Sequence, residues 1–173
     1  LTSLALNLAP NPFAVYEIIF WLLGSLKDRS MIDVAIAVPL MVVGWVFILA
    51  TARALDALTL GEDAATALGI SLRVTSAILV VGTALSVGAG VAVSGAIGFV
   101  GLVVPHVLRP FTDKRPSSLL LVSGFGGAAL LLAADIAARV VVSGRELNVG
   151  VLTALIGAPF FLWLVLRSRR QFL

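Results

Sequence analysis

Few residues in this chain could do covalent chemistry, and their spacing argues against it. There is no cysteine, which excludes disulfides, thiolate metal sites and cysteine nucleophiles. The single histidine, His106, excludes a multi-histidine zinc site, and beside Pro105 at a helix end it reads as a polar capping residue. The lysines, Lys27 and Lys114, stand in Leu-Lys-Asp and Asp-Lys-Arg. Neither completes a phosphate-binding loop, whose lysine follows glycine and precedes serine or threonine. No GxSxG or HExxH motif occurs. The chain is therefore read as a non-enzyme with no bound cofactor and no metal site; if ATP drives its function, a separate subunit hydrolyses it. Asp135 alone lies deep in an apolar run, LLLAADIAARVV. An intramembrane carboxylate there is a candidate proton relay. Arg139, four residues later on the same helical face, offers a local ion pair as the competing reading.

One polar segment carries a different kind of signal. Residues 53–73 (RALDALTLGEDAATALGISLR) have helix-forming content broken by Gly61 and Gly69. Leu55, Leu58, Leu60 and Leu68 supply apolar knobs, while Asp56, Glu62 and Asp63 keep the segment soluble. Two short helices with an apolar face form either a platform for a soluble partner or an amphipathic loop lying on lipid.

The elements that position these residues are set by composition. Of 173 residues, 60% are hydrophobic and only 12% charged, and the mean hydropathy is +1.13. Disordered chains are polar and charge-rich, and a soluble core of this size would not hide so much apolar surface, so the chain is read as an integral membrane protein. Its net charge of +3 does not point to nucleic acid, because the basic residues sit in short clusters between apolar runs.

A bilayer core about 30 Å thick takes about 20 apolar residues per helix. Positions 34–52, 116–134 and 147–166 are charge-free and match single spans, whereas 74–105 is too long for one pass and too short for two. Charge resolves it. If 74–105 goes out and returns, eight of the twelve basic residues (Arg53, Arg73, Arg109, Lys114, Arg115, Arg167, Arg169 and Arg170) share one side, the cytoplasmic one. Lys27, Arg29, Arg139 and Arg145 then lie opposite. The expected membrane helices are 31–52, 74–93, a short returning helix at 97–109, 116–140 and 147–167. Residues 13–26, too short to span and containing Glu17, are expected as a helix on the outer surface. Residues 1–9 resemble the end of a preceding apolar helix, and the start at Leu1 suggests a piece of a longer polypeptide.

Gly82, Ser86, Gly90, Ser94 and Gly98 recur every four residues, a ridge of small side chains along one helical face. Such ridges let helices approach closely in lipid, and the plainest role for this one is bundle packing.

Together these stretches resemble the permease subunits of the ABC importers for iron–siderophore complexes, haem and cobalamin, the FecCD/BtuC family. The resemblance rests on WLLGSL at 21–26, ALTLGEDAATALGI at 57–70, SGAIGFVGLVVPHVLR at 94–109, LLLAADIAARVV, and ELNVGVLTALIGAPFFLWLVLR at 146–167. It implies that the chain, 1–173, is the C-terminal half of an all-α, polytopic ten-helix permease in the bacterial inner membrane. It also implies a second permease subunit, two cytoplasmic ATPase subunits holding ATP and magnesium, and a periplasmic or lipoprotein substrate-binding protein. The coupling helices would be 55–70, with Leu58, Leu60, Gly61, Glu62, Asp63, Ala65, Leu68 and Gly69 meeting the ATPase. Arg139 and Arg145 would face the binding protein, and 148–167 would line the pathway. The expected function is ATP-driven import by alternating access; an ion-gradient-driven transporter or channel is the alternative.

Overall fold

The computed structural model describes residues 2–113, 115–141 and 148–169. Among these the chain is all-helical, and the buried positions are small. Ala37, Ala65, Ala89, Ala134, Ala138, Thr51, Thr75, Ser86 and Thr153 are buried, while Phe125, Leu155 and Val140 are 79%, 71% and 70% exposed. That inverts a water-soluble core. In lipid the large apolar side chains lose nothing by facing outward, and small ones let backbones approach. Four helical stretches are long and apolar enough to cross a membrane: Met31–Leu58, Leu72–Ser94, Pro116–Val140 and Val149–Leu166.

A short helix α1 (Thr2–Asn7) precedes α2 (Pro12–Leu23). Helix α2 begins where Asn11 Oδ1 accepts the Ala14 N–H at 2.8 Å and Pro12 occupies the first turn. At twelve residues it is about 18 Å long, short of a span. Helix α3 (Met31–Ala50) starts with a reciprocal capping box between Ser30 and Asp33. Its twenty residues cover about 30 Å, one bilayer core, and the short α4 (Ala52–Leu58) and α5 (Glu62–Ala67) follow at its far end. Helix α6 (Leu72–Ser94) returns alongside α3.

Helix α6 stops at Gly95, the chain turns through residues 95–99, and α7 (Val100–Leu108) runs back, closing with a 3-10 turn at Arg109–Phe111. The returning helix thus begins three residues later than the hydropathy pattern suggests. The reason is a tertiary one: Ala96 N–H donates at 3.0 Å to the Trp21 carbonyl, and Phe99 adopts a left-handed φ of 67°, so this backbone is bonded away from a helix. Helix α8 (Pro116–Val141) packs on α4 and α7, and α9 (Val149–Arg169) packs on α7, α8 and α2.

Candidate functional site: a two-helix platform tied to a membrane helix

The platform is built from α4, α5 and their turn. Thr59 Oγ1 donates to the Asp56 carbonyl at 2.7 Å, and Leu60 and Gly61 N–H groups bond the Ala57 and Leu58 carbonyls, which ends α4. Gly61 has φ +102°, a backbone region closed to ordinary side chains, and this turn launches α5. Glu62 and Asp63 occupy the first turn of α5, where the exposed N–H groups favour negative charge. The helix closes with a Schellman pair: Ile70 N–H donates to the Ala65 carbonyl at 3.1 Å and Gly69 N–H to Thr66 at 2.9 Å.

Of the eight residues expected on the coupling surface, the structure turns six outward. Leu60 and Leu68 are 71% and 66% exposed, flanking the exposed Gly61, Glu62, Asp63 and Gly69. Ala65 is wholly buried and Leu58 half-buried, so these two hold the platform to the bundle. Two apolar knobs with an acidic pair between them form a surface suited to a partner that offers an apolar groove and basic rim.

Asp56 has a role that sequence reasoning missed. It is not simply a solubilising charge: its Oδ1 accepts the Ser117 backbone N–H at 2.9 Å and its Oδ2 the Ser117 hydroxyl at 2.6 Å. A local signal existed. The residue before Pro116 is Arg115, which offers only donors, so the first turn of α8 has orphan N–H groups that a side chain from elsewhere must satisfy.

The same contact settles the topology. Because Asp56 touches Ser117, the 51–71 connection and the start of α8 lie at one end of the bundle. At the other end three backbone strands meet: Ser25 N–H donates to the Ser94 carbonyl at 2.7 Å, Ala96 N–H to Trp21 at 3.0 Å, and Gly150 N–H to Gly24 at 3.1 Å. So α6 leaves the platform end and α7 comes back to it, the out-and-return path that the charge distribution favours.

The small-residue ridge divides. Gly82 and Ser86 are buried against Gly44 of α3, and Ser94 gives its carbonyl to Ser25. Gly90 and Gly98 have nothing within 4 Å of a Cβ placed on them, so among the described residues neither marks a close helix crossing. Asp135 and Arg139 form a two-pronged i,i+4 pair at 2.8 and 3.3 Å, Arg139 being 60% exposed. That is the ion-pair reading of Asp135. Arg145 lies outside the described residues. His106 is not a cap: it sits in the last turn of α7 with its ring edge on Phe160, centroids 5.8 Å apart. Among the described residues no three acidic, histidine or cysteine side chains cluster as a metal site would require.

The sequence profile of the FecCD transport family matches residues 1–167. The chain belongs to the FecCD transport family. Within that family, the chain is 45% identical over 159 residues to the Fe(3+) dicitrate transport system permease protein FecD of Escherichia coli, covering 92% of this chain and 50% of the relative. It is 43% identical to the hemin transport system permease protein HmuU of Yersinia pestis, covering 87% and 45%. With the vitamin B12 import system permease protein BtuC of Klebsiella pneumoniae it shares 40% identity, covering 91% and 47%. A solved structure described as a metal-chelate type ABC transporter in an inward-facing conformation superposes with a TM-score of 0.82 at 32% identity, covering 95% of this chain and 53% of that one. The chain thus spans about half the length of these FecCD relatives.

Proposed function

We propose that this chain forms part of the transmembrane permease of an ATP-driven importer for an iron chelate, haem or cobalamin, in the bacterial inner membrane. The observation that carries the reading is the platform: an exposed pair of leucines around an acidic turn, at one end of the bundle and bonded to the start of a membrane-length helix, in a FecCD family chain. The platform docks a cytoplasmic ATPase subunit, which holds the nucleotide and magnesium. A second permease subunit completes the pathway, and a substrate-binding protein docks on the opposite face near Arg139 and Arg145. The chain's contribution is mechanical: platform displacement tilts the helices and alternates the open side of the pathway, with no covalent step.

The test reconstitutes the membrane protein that carries this chain with its ATPase and binding protein in liposomes. Uptake that follows internal ATP and persists without an ion gradient is expected. Glu62→Arg should cut ATPase retention on the purified permease at least about tenfold, as like charge is set against a basic rim. Uptake driven by an ion gradient alone would overturn the reading.

A further inference from the structure

The other side-chain helix caps among the described residues, at Asn11, Ser30 and Ser71, are local, made three residues apart, whereas Asp56 reaches Ser117 across 61 positions. Its carboxylate takes two donors at the start of α8, one from the backbone and one from the hydroxyl, and negative charge is favoured at that helix end. Helix α4 also packs directly on α8. The platform therefore has three routes into the membrane. Two are covalent, back through Thr51 into α3, which carries Pro39 in its interior, and on through Ser71 into α6, which breaks at Gly95. The third is through Asp56 into α8, a single 26-residue helix with no proline beyond its first position. From Ser117 to Arg139 that helix rises about 33 Å, enough to reach the opposite face.

We propose that Asp56 is the positioning residue through which platform movement is handed to α8, making α8 the rod that links the ATPase side to the face carrying Arg139. The bond stays closed throughout the cycle, so that α4 and the start of α8 move as one body. This rests on the importer reading above, and the experiment separates the two.

The measured quantity is ligand taken up per ATP hydrolysed, in liposomes holding the full permease, its ATPase and its binding protein. The ratio is taken on intact complexes purified with their ATPase bound, so that hydrolysis by released ATPase does not enter it and only loss of transmission lowers it. Asp56→Ala should reduce the ratio by at least about threefold, the scale expected for breaking one coupling contact. Ser117→Thr, which keeps the hydroxyl, should hold it within about twofold of wild type. An Asp56→Cys/Ser117→Cys pair, in a chain with no other thiol, supplies the second arm. Its ratio should be low when the thiols are free and recover when a short bifunctional thiol reagent joins them. A wild-type complex with no ATP-driven uptake would refute the importer reading itself. ATP-driven wild-type uptake together with an unchanged ratio in Asp56→Ala, or with no recovery on cross-linking, would overturn the role of Asp56 alone.

Discussion

Gly44 on α3 and Gly82 on α6 meet backbone to backbone. A Cβ on Gly44 would lie 2.6 Å from the Gly82 carbonyl oxygen, and one on Gly82 would lie 2.9 Å from that of Gly44. Both neighbours are main chain and do not yield, so a methyl group forces the helices apart. Gly44→Ala is expected to destabilise by about 1–3 kcal/mol, the usual range for overpacking. Gly90→Ala, whose new methyl meets open space, should shift stability far less. Thermal unfolding in detergent compares the two; equal melting temperatures would contradict this account of the crossing.

Gly150 stands at the outer three-strand junction, where an added Cβ would collide with the Leu23 carbonyl oxygen. Gly150→Ala must push α9 off the 21–25 segment and weaken its bond to Gly24. Ser25 is 5% exposed there. A Ser25→Cys reporter should therefore label about tenfold faster with an impermeant maleimide in the Gly150→Ala background, which corresponds to easing local opening by about 1.4 kcal/mol. Unchanged labelling would show that the junction tolerates the methyl.

Asp135 and Arg139 make contrasting predictions. An i,i+4 pair with one partner 60% exposed is worth about 0.3–0.5 kcal/mol, so neither Asp135→Asn nor Arg139→Ala should move the melting temperature much. Asp135→Asn should keep uptake, since its charge serves a local pair. Arg139→Glu should weaken docking of the binding protein, measured by retention on the reconstituted permease. Abolished uptake in Asp135→Asn would restore the proton-relay reading.

Most of the architecture is legible from composition and charge. The spans at α3, α6, α8 and α9 follow from uninterrupted apolar runs, and the two short platform helices follow from helix-forming content, with leucines at 55, 58, 60 and 68, broken by Gly61 and Gly69. The Asp135–Arg139 pair is visible because both residues lie on one helix, where spacing alone fixes their distance. The role of His106 was not legible: its neighbour Pro105 suggests an end-cap, whereas its ring meets Phe160 of α9.

By itself the sequence determined that this is a helical membrane bundle and where its long apolar runs lie, because hydrophobic length acts locally along the chain. Only the tertiary structure decided which of the regularly spaced glycines touch another helix, where the returning α7 begins, and that Asp56 caps a helix 61 positions away. Those outcomes depend on orphan backbone groups finding partners across the bundle, and a backbone group carries no mark in the sequence of the partner it will find.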